Sequence, residues 1–240
     1  MMNCDPDTGA CQIPDAASAG DNKAIPKKGL AVHYIGDPMC SWCWGISPAL
    51  KTLEAFCAQQ GIDFTVNVGG LRVGGGDPWT AQFKAFLRKE WSHIHEVSGQ
   101  PFGYSLLDRE SFNYDTEPAC RAVVTVQLLQ TRDGLPEGVV LAFFTAVQQH
   151  FYVDGADPRQ VDFYKGPCEQ AGLDFEAFKL LFLSETAQKA THEAFQKRHQ
   201  WGVNSFPTLL LEIEGEVKTL ANGYITADRA VSQLTRALPN

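Results

Sequence analysis

Two cysteines separated by two residues, Cys40-Ser41-Trp42-Cys43, carry the strongest chemical signal in the chain. They stand where the hydrophobic pattern changes period. Val32, Tyr34 and Ile35 form a short apolar stretch that reads as a buried strand, and from Trp44 the apolar residues Ile46, Leu50, Leu53 and Cys57 recur at helical spacing. The junction places Cys40 at a helix N-terminus, where free backbone N–H groups and the helix dipole favour a thiolate. Cys43 follows about one turn later, near enough to close a disulfide. A Cys-x-x-Cys pair in that setting is a dithiol redox site.

Composition narrows the field. A chain of 240 residues with 44% hydrophobic content supports one large domain, or one domain carrying an insertion. A net charge of −8 argues against a general nucleic-acid binder. The longest apolar run, Val139 to Val147, is too short to span a bilayer, so no membrane partner is expected. Residues 1–29 hold acidic, small and Pro/Gly residues; they read as a flexible tail and not as a secretory signal. Seven cysteines without such a signal point to a reducing, cytoplasmic setting with reactive or buried thiols.

The elements around the pair follow in order. A strand is expected over 31–36 and a helix over 42–60, kinked at Pro48. Ile62, Phe64, Val66 and Val68 alternate with polar residues as a second strand, and the glycine-rich stretch 69–76 reads as a mobile loop beside the site. Helical spacing then runs from 79 to 201, with a helix start at Asp115-Thr116-Glu117-Pro118. Thr208 to Ile213 reads as a strand, Glu214-Gly215 as a turn and Glu216 to Leu220 as the hairpin partner; Thr226 caps a last helix. This order predicts an α/β thioredoxin fold. Its mixed four-stranded sheet carries a large all-helical insertion between the second and third strands. The expected units are a tail (1–29), the first part of the thioredoxin domain (30–78), the helical insertion (79–201) and the second part (202–240).

Phe206-Pro207 immediately precedes the third strand. A proline entering a strand disturbs the ladder, and a cis peptide accounts for it by turning the chain and leaving the preceding backbone open to an extended peptide. With Asp37-Pro38-Met39-Cys40-Ser41-Trp42-Cys43-Trp44-Gly45 and the Gly202 to Thr208 segment in view, the chain resembles the DsbA-like branch of the thioredoxin superfamily. More narrowly, it is similar to FrnE-like cytoplasmic thiol oxidoreductases. The resemblance implies that Cys40 attacks, Cys43 resolves, Ser41 and Trp42 tune the thiolate, and Phe206-Pro207 forms a cis-proline loop. It also implies exchange through a mixed disulfide with protein or small-molecule thiols and disulfides, glutathione or a thioredoxin system among them. No cofactor is called for.

Competing readings are weaker. A zinc site needs a second ligand pair at matching spacing, and Cys57, Cys120 and Cys168 stand alone as small buried hydrophobes, so no metal is expected. The glycine run lacks the Gly-Lys-Ser/Thr ending of a phosphate loop. His33 lies on the first strand near the pair. Trp42, Trp44, Trp79 and Trp91 are candidates for a docking surface. Cys4 and Cys11 flank a turn-prone segment and read either as shuttle thiols or as incidental ones. Two other functions stay open: a non-catalytic adaptor that recruits a protein partner, and a glutathione-dependent isomerase or transferase, whose kind characteristically carries serine where this chain has Cys40.

Overall fold

The computed structural model describes residues 3–4, 11–12 and 29–239. Two short strands, β1 (Asn3–Cys4) and β2 (Cys11–Gln12), pair antiparallel; the rest of the expected flexible tail, up to residue 28, lies outside the described residues. The main sheet has the order β4-β3-β5-β6, from β3 (Leu30–Gly36), β4 (Asp63–Val68), β5 (Thr208–Ile213) and β6 (Glu216–Asn222). Strand β3 runs parallel to β4 and antiparallel to β5, and β6 closes the hairpin with β5. The sheet is therefore mixed, as the element order predicts.

Strand β3 is central and buried on both faces, which its apolar run requires. Val32 and Tyr34 face the large core, while Ile35 packs with Val203 and Leu210 on the other side. His33 shares that second face. Its ring bonds Thr65 on β4 at 2.6 Å and Glu212 on β5 at 2.7 Å, and it lies tilted against the Trp201 ring, centroids 4.8 Å apart. It ties three strands together.

The helix after β3 is not one kinked helix. A single turn, α1 (Ser41–Gly45), ends at Ile46, and α2 (Ser47–Gln60) starts anew with Pro48 in its first turn. Proline has no N–H to lose there and its fixed φ suits a helix start, so the chain interrupts the helix before the proline instead of bending through it. Six helices lie between β4 and β5: α3 (Ala81–Ser98), α4 (Glu117–Asp133), α5 (Val139–Tyr152), α6 (Lys165–Gln170), α7 (Phe175–Phe182) and α8 (Glu185–Gln200). Helix α4 begins where expected, although Asp115 caps it: its carboxylate accepts from the Glu117 amide, while the Thr116 hydroxyl accepts from the Arg72 amide. The last helix, α9 (Ala227–Ala237), likewise starts after Thr226 without a side-chain cap from that residue.

The insertion and the sheet share one continuous core. Helix α5 is its axis, with Phe143, Phe144, Phe151 and Tyr152 all fully buried. The Phe144 ring meets Tyr34 of β3 edge-on at 5.6 Å, joining insertion to sheet. Phe144→Ala is expected to lower stability by about 3–5 kcal/mol, read from urea denaturation midpoints at unchanged slope.

Candidate active site

The site is built at the end of β3. The chain leaves the strand at Gly36, turns through Asp37-Pro38-Met39 and enters α1 at Cys40; the Cys40 amide donates to the Asp37 carbonyl at 3.0 Å and closes the turn. Cys40 is the N-cap residue of α1, and its carbonyl accepts from the Trp44 amide. Both cysteines are free thiols, Cys40 8% exposed and Cys43 fully buried. Burial pushes the Cys43 thiol well above its ordinary range, and the neighbouring Cys40 adds to this; contact with Tyr34 and the Asp37 backbone pulls the other way.

Across from this pair lies the loop before β5. Its Phe206–Pro207 peptide bond is cis. The Cys40 thiol points to the Phe206 carbonyl at 3.8 Å, so the two sequence-distant segments meet. Three contacts seat the loop. The Gly223 amide donates to the Pro207 carbonyl, and the Arg198 guanidinium lies over the Phe206 ring at 5.5 Å. The third is Gly69, where a Cβ would come within 2.2 Å of the Phe206 ring; only glycine lets the aromatic approach that backbone.

Asp37 is completely buried and uses both carboxylate oxygens. One accepts from the Met39 amide at 2.8 Å; the other accepts from the Leu71 amide at 2.6 Å and from the Cys120 thiol at 3.4 Å. Burial raises its pKa, and these bonds offset part of that rise. Three tyrosines complete the wall behind the thiols. Tyr114 donates to the Met39 carbonyl at 2.9 Å, Tyr152 neighbours Tyr114, and Tyr34 faces Cys43. All three phenols are held protonated by burial.

Several expectations change at this level. The glycine loop is pinned: Gly69 donates to the Gly36 carbonyl, Gly74 to Asp115 and Gly76 to Asn113. Cys120 is buried but not merely apolar, since it donates to Asp37. Cys57 and Cys168 are core thiols, both pushed up to about 12 by burial. Trp44 and Trp91 are buried and cannot form a docking surface, whereas Trp42 is partly exposed between His93 on α3 and Tyr224 after β6, at 5.8 and 5.7 Å between ring centroids. Ser41 is also partly exposed beside it. Asp37, Tyr34, Tyr114, His93 and Tyr224 escape residue-by-residue reading. Only the three-residue offset of Asp37 from Cys40 offers a signal, because the other four come from separate elements. Cys4 and Cys11 sit opposite each other in the β1–β2 ladder.

Asp37 gives a pH prediction. Its folded pKa is raised above the ordinary value of 3.8, so the folded state holds its proton more tightly than the unfolded chain. The corresponding stability is present below that value and is lost as pH rises through the folded pKa. Asp37→Asn is expected to flatten the acid-to-neutral stability profile, even where it lowers stability overall by losing an acceptor. Chemical denaturation across that pH range, wild type against variant, checks the slope.

No family model matches the chain. Among solved structures, a candidate protein disulfide isomerase from Nitrosomonas europaea is 32% identical, with a TM-score of 0.75, over 87% of this chain and 97% of that one. The cytosolic disulfide reductase DsbM from Pseudomonas aeruginosa, solved with GSH, is 25% identical with a TM-score of 0.65, over 87% and 100% of the two chains. Among curated proteins, the ClpXP adapter protein SpxH of Halalkalibacterium halodurans is 24% identical over 88% of this chain; the chain spans 67% of that protein's length. On the identity and coverage shared with the Nitrosomonas europaea protein, and on the fold and sheet order described above, the chain belongs to the DsbA-like thiol–disulfide oxidoreductases of the thioredoxin superfamily.

Proposed function

We propose that the protein is a thiol–disulfide oxidoreductase in which Cys40 attacks a substrate disulfide and Cys43 resolves the mixed disulfide. The observation that carries this reading is the meeting of Cys40, at 8% exposure, with the Phe206 carbonyl before the cis-proline, while Cys43 lies fully buried behind it. That asymmetry suits the two roles. An incoming sulfur reaches Cys40 alone, and a peptide laid beside the Phe206-Pro207 backbone presents its disulfide there. Ser41 and Trp42 belong to the same exposed rim and contact the substrate. The narrower FrnE-like placement rests on the sequence around the cysteine pair.

The substrates we infer are thiols and disulfides of proteins or small molecules. Glutathione is favoured among small thiols because the DsbM relative was solved with GSH. A cytoplasmic location is favoured by that relative's cytosolic description and by the buried free thiols Cys57, Cys120 and Cys168.

A second reading is an adaptor, which the SpxH relatives favour by name. One pair of variants separates the two. Cys40→Ser is expected to abolish reduction of a disulfide substrate, and Cys43→Ser to accumulate mixed disulfides with cellular partners that a reductant releases. Wild-type protein with no disulfide-reductase activity, together with a Cys43→Ser variant that traps nothing, would leave the adaptor reading standing.

Cys4 and Cys11 form a proposed accessory pair. Antiparallel partners lie about 4.5–5.5 Å apart at Cα, inside the roughly 4.4–6.8 Å that a disulfide spans, and the ladder sets these two residues opposite each other. Such a pair can exchange with Cys40–Cys43. Deleting residues 1–20 is expected to slow reoxidation of the Cys40–Cys43 dithiol at unchanged thermal stability. Stopped-flow kinetics with unchanged reoxidation would make the two thiols incidental.

A further inference from the structure

We propose that Gln100 is a positioning residue for the dithiol: its side-chain amide replaces the backbone donor missing at Pro48 and holds α1 in the turn that brings Cys43 to Cys40, a role resting on the oxidoreductase reading above.

The need for such a residue starts in the sequence. In a continuous helix the Trp44 carbonyl accepts from the amide four residues on, and that residue is Pro48, which has no N–H. The helix accordingly stops at Gly45 and restarts at Ser47. Cys43 is left on a single turn, with Cys40 as its N-cap residue. A helix of one turn does not hold itself together, because its few bonds do not offset the cost of fixing its backbone.

The segment that follows α3 supplies the missing donor. Gln100 Nε2 donates to the Trp44 carbonyl at 3.1 Å and to the Ser47 hydroxyl oxygen at 2.7 Å. Both amide hydrogens are used, and one nitrogen joins the end of α1 to the start of α2. A carbonyl only accepts, which fixes which way the amide faces. Gln100 is itself held. Gly99 ends α3 in the left-handed region, at φ +74°, and turns the chain back towards α1. The Gln100 backbone amide then donates to the Ser98 hydroxyl at 3.2 Å, and its carbonyl accepts from the His95 ring at 2.8 Å. Two further contacts seat α1 on the same surface. The Trp44 indole donates to the Pro101 carbonyl at 2.9 Å, and a Cβ at Gly45 would come within 3.0 Å of the Ile94 side chain.

The chemical consequence is a matter of order before the bond forms. Two thiols held together beforehand close a disulfide more favourably than two thiols that must first be ordered. In the disulfide, the sulfur–sulfur bond itself restrains α1. In the dithiol, that restraint falls to Gln100 and the contacts beside it. Exchange with glutathione balances as follows. The Cys40 and Cys43 thiols and one glutathione disulfide give the Cys40–Cys43 disulfide and two glutathione thiols. Two electrons pass from the protein sulfurs to the glutathione sulfurs, and two protons go with them.

That equilibrium is the test. Wild type and Gln100→Met, which keeps a side chain of similar length but has no donor, are equilibrated in buffers of reduced and oxidised glutathione. Thiol labelling with mass spectrometry reads the fraction of Cys40–Cys43 disulfide. Gln100→Met is expected to lower the equilibrium constant for the disulfide by about 3- to 10-fold, the worth of one net hydrogen bond. For a two-electron couple this makes the potential less negative by about 15–30 mV. Gln100→Glu has nearly the same shape but sets a carboxylate against the Trp44 carbonyl; it should lower the constant at least as much, and it carries the test if Gln100→Met fails to fold. Equal constants in wild type and a folded variant overturn the role of Gln100. A purely structural Gln100 would lower the urea stability of dithiol and disulfide forms alike and leave the constant unmoved. A wild-type protein that forms no Cys40–Cys43 disulfide at any glutathione ratio instead overturns the oxidoreductase reading itself.

Discussion

One buried carboxylate organises the site. Between the end of β3 and Cys40 the chain has only Asp37, Pro38 and Met39 in which to turn and present two thiols. Asp37 holds that turn through the Met39 amide, docks the glycine loop through the Leu71 amide and meets α4 at Cys120. Burying a carboxylate is costly unless its lone pairs are filled, and three donors from three segments fill these. The consequence reaches the opposite wall. Docking Leu71 brings Gly69 against the Phe206 ring, which seats the cis-proline loop across from Cys40.

The helical insertion is part of this chemistry. Cys120 on α4, and Phe144 and Tyr152 on α5, stand behind the thiols with Tyr114 from the segment before α4. They exclude water from Cys43 while leaving Cys40 at the rim. Low local polarisability strengthens every dipole that remains there, so a phenol or a backbone amide matters more to Cys43 than it would to a solvated thiol. The contrast between 8% and zero exposure of two residues one turn apart thus follows from what the insertion packs against α1.

The outer face has a different character. Trp42 sits between His93 and Tyr224, and Phe206 is flanked by Arg198 and the glycine loop. From that loop Leu71 and Val73 project with 43% and 48% exposure. A rim of aromatic, cationic and aliphatic groups suits an extended peptide, whether a substrate that leaves reduced or a partner that stays. What separates these two outcomes is the sulfur chemistry behind the rim, since the same surface would serve either.

The local pattern alone determined the four strands of the main sheet, the helix starts near Glu117 and after Thr226, and the Cys40–Cys43 pair. Apolar period and punctuation are properties of neighbouring residues: β5 begins at Thr208 and β6 at Glu216, as the alternation and the Glu214-Gly215 turn require. Tertiary packing decided the rest of the site. Nothing near position 37 shows that its carboxylate will meet Leu71 and Cys120, and Tyr34 reads as one more apolar strand residue until Gly36 and Cys43 are placed around it. The glycine run reads as mobile because glycine costs entropy to order, yet acceptors from Gly36, Asp37, Asn113 and Asp115 hold it. The same division applies to Pro48, whose helix-breaking nature is local but whose position at the start of a second helix depends on where α1 stops. Periodicity reports which side of an element is buried. It carries no information on which distant polar atom waits on that side, because that pairing is fixed only when the elements pack.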